Sequence, residues 1–231
     1  MRALHGLSVA MVLLLGGQIA LGWTLRYKVP HRDLLPPPPT QRMAEVAAFG
    51  DRQFFFRRAA LDFQEAGDTG GRIVPIGNYD SNAVLGWLHL LQDLDPRSII
   101  PVGLAAGYFG HSQDLSKVPP VIGFIREAVN LDPVQRWQAL YEAIFLAKGR
   151  LKDSQLALDV ASQLSSYGPD VVPQFAALSP AFILEQDGDK ERAHAIVEKI
   201  RARYAGRLTP AEDEWSRAYL AYLSGQGPRP K

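Results

Sequence analysis

The N-terminal part of the chain carries an uninterrupted apolar run over residues 7–25. It contains no charged residue, and Gln18 is its one strongly polar side chain. A helix of this length rises by about 1.5 Å per residue, which matches the hydrocarbon core of a bilayer. Trp23 and Tyr27 lie where interfacial aromatic residues anchor a span. The pattern predicts an N-terminal transmembrane anchor over residues 1–28.

Two alternatives remain for this run: a signal peptide cleaved near Ala20-Leu21-Gly22, or a buried helix of a soluble protein. Arg26, Lys28 and Arg32 come after the run, whereas only Arg2 precedes it. This asymmetry slightly favours a cytoplasmic domain in a single-pass protein of the bacterial inner membrane. N-terminal anchors also commonly export the domain attached to their C-terminal end, so the side of the membrane is nearly undecided.

Residues 29–42 form a proline-rich segment with four consecutive prolines, Pro36 to Pro39. Such a run favours an extended polyproline II conformation that rises by about 3 Å per residue. We expect a stiff spacer that separates the following domain from the bilayer. A ligand for an SH3-type domain is the alternative interpretation.

From Met43 onward, apolar residues recur at intervals of three and four, which is typical of amphipathic helices. Alternation typical of a strand is confined to residues 72–76, and Pro75 weakens it. The pattern therefore predicts an all-α domain over residues 43–224.

A recurring turn signal divides these helices. Leu94-Asp95-Pro96 returns as Leu131-Asp132-Pro133, and a weaker Tyr167-Gly168-Pro169 comes next; the prolines are 37 and then 36 residues apart. A fixed period of this size in a helical chain indicates repeated helical hairpins.

The clearest hairpin is the last. Leu178, Ala181 and Leu184 share one helix face, Gly188-Asp189 forms the turn, and a second stripe comes at Ala193, Val197 and Ile200. An earlier unit has its stripe at Phe56, Ala59, Ala60 and Phe63 and its turn at Gly67-Asp68, and residues 69–79 are inserted before its second helix.

These features resemble the tetratricopeptide-like helical repeat superfamily over residues 43–204. The resemblance implies an α-solenoid of about three to four hairpins that presents a groove to a protein partner. The chain also resembles membrane-anchored bacterial repeat proteins, which implies no activity.

The C-terminus contains a strong helix start, because Thr209-Pro210-Ala211-Glu212 is a capping box with proline at the first helical position. We expect a helix over residues 210–224 that covers the last apolar face of the array. A docking helix for another protein, through Trp215 and Tyr219, is the alternative. Residues 225–231 are expected to be a flexible tail.

Composition and motifs exclude several functions. The net charge of +1 and pI of about 8.0 do not favour nucleic-acid binding. The chain has no cysteine, none of its five histidines lies at metal-ligand spacing from another, and we find no nucleophile or phosphate-loop motif. We therefore predict no catalytic residue, no cofactor and no metal, and the sequence gives no oligomeric state.

Phe54, Phe55 and Phe56 precede Arg57 and Arg58. A helix that buries one face cannot hide three consecutive aromatic residues, so at least one needs a second neighbour. We expect that neighbour to be the 69–79 insertion, a partner protein or a membrane surface.

The predicted function is a membrane-anchored protein-binding scaffold, or an accessory subunit of an inner-membrane complex, with a protein partner at the membrane. Its candidate contacts are the aromatic and basic residues above together with Trp215 and Tyr219. The alternative is a small-molecule or glycan-handling protein, and possibly an enzyme, with a pocket formed by Arg72, Tyr79 and Asp80. That alternative requires these three side chains to converge in a deep cleft.

Overall fold

The computed structural model describes residues 11, 14–21, 23, 35–66, 68–69 and 72–230, and the chain divides into two compact units, Met1–Asp33 and Leu34–Lys231. In the first unit, residues 14–21 are helical and exposed. Among the described residues, no helix is long and apolar enough to cross a membrane. The remainder of the predicted anchor, with Arg26, Lys28 and Arg32, lies outside them, so the anchor stays a prediction.

The second unit is all-α, as predicted. In chain order its helices are α1 (Gln41–Ala47), α2 (Arg52–Gln64), α3 (Ser81–Leu94), α4 (Ile100–Gly107), α5 (Val118–Leu131), α6 (Pro133–Phe145), α7 (Ser154–Ser166), α8 (Gln174–Ala177), α9 (Ser179–Gln186), α10 (Lys190–Arg203) and α11 (Pro210–Leu223). A π-helical turn, Leu146–Leu151, extends α6, and 3₁₀ turns lie at Ile76–Asn78, Phe109–His111 and Leu115–Lys117.

Aspartate starts five of these helices. The carboxylates of Asp51, Asp80, Asp132, Asp153 and Asp189 accept hydrogen bonds from main-chain N–H groups in the first turns of α2, α3, α6, α7 and α10. These bonds satisfy donors that have no partner inside the helix. The capping box at Thr209 and Glu212 is confirmed, and α11 begins at Pro210.

The Leu-Asp-Pro signal acts differently at its two positions. At the second, α5 ends at Leu131, Asp132 caps α6, and Pro133 is its first residue. At the first, α3 ends at Leu94, and α4 begins only at Ile100. The identical tripeptide therefore separates two helices directly in one place and opens a short turn in the other.

Helices contact mainly the next helix along the chain or the one after it: α3 packs on α4 and α5, α4 on α5 and α6, and α7 on α9. Three basic side chains connect segments that lie about one repeat apart along the chain. Lys117, Arg136 and Arg150 each donate to main-chain carbonyls 40 and 38 residues earlier. These separations lie close to the period of the turn signal. The contacts therefore join each repeat to the one that precedes it along the chain.

The 69–79 insertion is folded against the helices that come after it. Its start forms an antiparallel ladder between β1 (Asp68–Thr69) and β2 (Arg72–Ile73), so only two residues of the weak strand-like run at 72–76 are in a strand. Lys117 then donates from Nζ to the carbonyls of Gly77 and Tyr79, at 2.7 and 2.6 Å. These bonds fix the end of the insertion just before α3.

The proline run does not stand clear of the domain, in contrast to the spacer expected for residues 29–42. Within its described part, Trp87 of α3 donates from Nε1 to the Pro36 carbonyl at 2.7 Å, and Leu35 is buried. A Cβ added at Gly86 would lie 2.7 Å from Cγ of Pro38. The prolines pack this closely because α3 has a glycine at the point of contact.

Candidate functional site: an aromatic groove

The predicted aromatic and basic cluster on α2 is divided between core and surface. Phe56 is buried and Phe55 packs partly against the core, whereas Phe54, Arg57 and Arg58 are exposed. Arg58 pairs with Asp62 one turn later, at 3.4 Å. Such an exposed pair contributes little to stability, so this surface is free for another contact.

The turn between α1 and α2 enlarges this exposed surface. Met43, Val46, Phe49 and Phe54 are exposed, and we call these four residues the α1–α2 apolar patch. Phe49 is 95% exposed and has a φ of 47°, a left-handed conformation that disfavours a bulky residue. A large apolar side chain thus occupies a strained position at which it gains no packing within the described residues.

The second predicted group, Arg72, Tyr79 and Asp80, does not form an open pocket. Tyr79 is 2% exposed and its hydroxyl donates to the Ala66 carbonyl, while Asp80 caps α3. The cavity beside Tyr79 has a volume of about 20 Å³, which is room for about one water molecule. The Arg72 side chain lies outside the described residues.

Burial raises the pKa of Tyr79 to about 12, with Tyr108 adding to the effect. The phenol therefore stays protonated at neutral pH and cannot act as a general base. Since Tyr79 points into the core and Asp80 is occupied at a helix start, the geometry does not favour the small-molecule alternative.

The candidates Trp215 and Tyr219 belong to the most distinctive surface feature, a groove with a volume of about 550 Å³. It lies between α6 with its π-helical turn, α9, α11 and the C-terminal residues, and we call it the aromatic groove. Its lining residues are Tyr141, Ile144, Phe145, Lys148, Gly149, Ser179, Phe182, Ile183, Gln186, Trp215, Tyr219, Arg229 and Pro230.

Aromatic side chains from four helices meet in and beside the aromatic groove. Phe182 of α9 lies edge-on to Trp215 of α11, with ring centroids 6.1 Å apart, and Trp215 stacks on Tyr219 at 4.9 Å. Phe175 of α8 lies 5.8 Å from Tyr141 of α6 and lines an adjoining cavity of about 320 Å³. The result is a nearly continuous row of rings.

Some of these rings remain open to solvent. Phe145 is 53% exposed and Phe175 is 52% exposed. Exposed aromatic residues beside a concave surface are typical of sites that bind another chain, because they bury large apolar area with few rotatable bonds.

A buried carboxylate bonds to two of the residues that line the aromatic groove. The Glu185 side chain is 6% exposed, and its Oε2 accepts from the Tyr219 hydroxyl at 2.7 Å and from Nη2 of Arg229 at 3.0 Å. Burial, reinforced by the hydrogen bond to Glu185, raises the pKa of Tyr219. The Tyr219 phenol therefore stays protonated at neutral pH and donates to Glu185. The same carboxylate also accepts from the Arg229 guanidinium of the C-terminal tail.

The rim of the aromatic groove carries an ion pair. Lys148 donates from Nζ to the Asp187 carboxylate and to Ser154 Oγ, and the hydrogen bond from Lys148 lowers the pKa of Asp187. These groups are satisfied by each other, so they shape the rim without presenting a free charge.

A larger cavity of about 1220 Å³ lies between α10 and α11. Asp213 occupies its wall, where it accepts two hydrogen bonds from Arg201 and pairs with Arg217. These three charged side chains thus bond to one another, and no aromatic side chain lines the cavity. It is a less suitable binding site than the aromatic groove.

The described residues contain no group of three or more acidic or histidine side chains that could hold a metal ion. The chain matches no protein-family model, and no curated protein or solved structure is significantly similar to it. Function must therefore be inferred from the groove itself.

Among the residues that line this groove, sequence reasoning singled out Trp215 and Tyr219 alone as candidate contacts. The helical spacing of Trp137, Leu140, Tyr141 and Ile144 predicts a face directed at the following helix, but Tyr141 and Ile144 line the groove together with Phe145. Phe175 and Glu185 carry no such signal. Arg229 was assigned to a flexible tail, and only the structure brings it to Glu185.

Proposed function

We propose that the protein is a membrane-anchored scaffold, or an accessory subunit of a bacterial inner-membrane complex, which binds an extended segment of a partner protein in the aromatic groove. The observation that carries the proposal is the row of rings from α6, α8, α9 and α11, some of them half exposed, together with the buried Glu185 carboxylate that accepts from Tyr219. Aromatic rings of this kind pack against an extended peptide, and the Glu185 carboxylate favours a peptide with a basic side chain.

The array itself is assigned to a tetratricopeptide-like solenoid. Contacts between helices one or two apart support this assignment, as do the carbonyl contacts of Lys117, Arg136 and Arg150 at a constant separation. α6, α9 and α11, which line the groove, alternate with the packing helices α7 and α10. In a solenoid this arrangement places one helix of each hairpin along a shared surface.

A photo-crosslinking amino acid at Phe175 is expected to capture one partner segment in membranes of the native host. The adduct should map to a single extended stretch, because the groove contacts only a few residues. Phe145→Ser should lower its yield by about tenfold, the effect of removing an aromatic contact near the centre of an interface. Phe145 is partly exposed, so this change should leave the fold intact.

The matched control carries the same crosslinker at Leu131, which is exposed and lies outside the groove. Equal adducts from both positions, or an adduct unaffected by Phe145→Ser, would show that the aromatic groove is not the binding site.

The membrane placement is supported by the apolar run over residues 7–25 and by the α1–α2 apolar patch. Arg42, Arg57 and Arg58 are exposed on the same two helices. Apolar and aromatic residues beside arginine suit the interface of a bilayer that contains anionic lipid. The strain at Phe49 is consistent with a residue positioned for such a contact.

Because the chain has no cysteine, Phe49→Cys provides a single site for an environment-sensitive dye. In proteoliposomes with anionic lipid, we expect its emission to shift to the blue and to be quenched by brominated lipid. The same dye at Leu131→Cys should keep the emission that it has in water and should not be quenched by brominated lipid. If the two positions give the same emission, the α1–α2 apolar patch does not touch the bilayer.

A further inference from the structure

The C-terminal tail is directed back to the aromatic groove by the way in which α11 ends. Gly225 has a φ of 76°, and the N–H of Gln226 donates to the carbonyl of Ala221 at 2.8 Å. A glycine in the left-handed conformation together with this bond reverses the chain at a helix end. The tail, which the sequence predicts to be flexible, therefore does not continue along the helix axis but returns alongside α11, where a Cβ added at Gly227 would lie 3.9 Å from Cβ of Ala221.

The returning tail meets the groove through two residues. Arg229 donates to Glu185 at 3.0 Å, and both Arg229 and Pro230 line the groove. Pro228 and Pro230 flank the arginine and restrict the backbone to extended conformations. A proline-flanked arginine thus lines a groove that is otherwise rich in aromatic rings, a composition typical of polyproline recognition.

The Glu185 carboxylate requires a positively charged hydrogen-bond donor from any ligand of this site. A carboxylate with 6% exposure needs hydrogen bonds and an opposite charge. Tyr219 supplies a neutral hydrogen bond, and Arg229 supplies the charge. No other basic side chain is within ion-pair distance of Glu185 in the described part of the chain.

The tail contributes only Arg229 and Pro230 to the lining of the site and is held weakly. Arg229 is 58% exposed, and an ion pair with one exposed partner adds little affinity. With the tail in place, the groove still has a volume of about 550 Å³ lined by Phe145 and Tyr141 among others, which leaves room for a longer segment. A partner can therefore displace the tail and make contacts that the tail does not.

On the basis of the proposed function, we propose that the partner segment contains an arginine next to proline, and that the chain's own Pro228-Arg229-Pro230 occupies the same site as an intramolecular competitor. The arginine of the partner binds Glu185, and its prolines pack on the rings around Trp215. Binding in trans thus begins with release of the tail.

The test uses the full-length chain and a fluorescent synthetic peptide with the sequence of residues 225–231. Arg229→Ala is expected to bind this peptide at least about tenfold more tightly than the wild type, because the tethered tail competes at an effective concentration in the millimolar range. A peptide with alanine in place of its arginine should not bind. Adding Glu185→Gln to Arg229→Ala should abolish binding, although glutamine preserves an acceptor for Tyr219.

Arg217→Ala is the matched control, because Arg217 pairs with Asp213 away from the groove; it should behave like the wild type. The proposal is overturned if Arg229→Ala does not bind the peptide, or if it binds the alanine peptide equally well. A lower unfolding temperature of Arg229→Ala without peptide binding would also overturn it, since the tail would then be only a structural contact. If the peptide experiment fails but the crosslink from position 175 still forms, the aromatic groove binds a partner of different chemistry. If that crosslink is absent as well, the proposed function fails.

Discussion

Arg136→Ala is expected to lower the free energy of unfolding by about 3–5 kcal/mol, because it removes a buried cation that donates to several buried oxygen acceptors at once. Arg136 is 1% exposed and donates to the carbonyls of Pro96, Ser98 and Ala128 and to the side chain of Gln92. Burial lowers the pKa of the guanidinium, an effect that Asp132 and Asp95 partly oppose. The charge is thus retained at neutral pH and held by oxygen dipoles.

Urea unfolding followed by circular dichroism measures this effect. Arg150→Ala removes the equivalent hydrogen bonds to the carbonyls of Gly110 and Ser112. Because the Arg150 side chain is less buried, the free energy of unfolding should fall by a smaller amount, about 1–2 kcal/mol. Arg217→Ala, at the surface, should stay within about 0.5 kcal/mol of the wild type. Equal losses for Arg136→Ala and Arg217→Ala would contradict the structural role of the buried guanidinium.

Gly110→Ala is expected to destabilise the fold by about 1–3 kcal/mol, because it overfills a closed part of the core. The added Cβ would lie 2.5 Å from Cδ1 of Leu146 and 3.1 Å from the Ala105 carbonyl oxygen. Leu146 is buried in the core, and the carbonyl belongs to α4, so neither can move away freely.

The same substitution at Gly103 provides the matched control. Gly103 lies within α4, is exposed, and has no atom within 4 Å of an added Cβ. Alanine there should stabilise the fold by up to about 1 kcal/mol through its higher helix propensity. Thermal unfolding should therefore show shifts of opposite sign for Gly110→Ala and Gly103→Ala. Two shifts of the same sign would show that the contact at Gly110 relaxes easily.

Helix starts were the most predictable part of this fold. The capping box at Thr209 and the start at Pro133 result from hydrogen bonds within one turn, which depend on a few neighbouring residues. The apolar stripes at Ala193, Val197 and Ile200 and at Leu178, Ala181 and Leu184 are buried as predicted. A local pattern suffices in these cases because helix geometry alone determines which residues share a face.

The candidate site was less predictable. Trp215 and Tyr219 were correctly placed on the terminal helix and line the groove, but Tyr79 was assigned to a pocket and lies in the core. Its position depends on the Ala66 carbonyl and on Phe109, which come from different parts of the chain. A tyrosine in a polar insertion carries no local signal that distinguishes a buried hydroxyl from an exposed one.

The sequence by itself determined the all-α class, the spacing of the turn signals and the ends of several helices, because these depend on interactions between residues close along the chain. Only the tertiary structure decided that Arg136 bonds to carbonyls 38 and 40 residues earlier, that Pro38 packs on Gly86, and that Arg229 reaches Glu185. Each of these contacts depends on the distance between elements that the chain brings together only when it packs. The aromatic groove depends on tertiary packing for the same reason, since its rings come from four helices whose relative positions are set by the core beneath them.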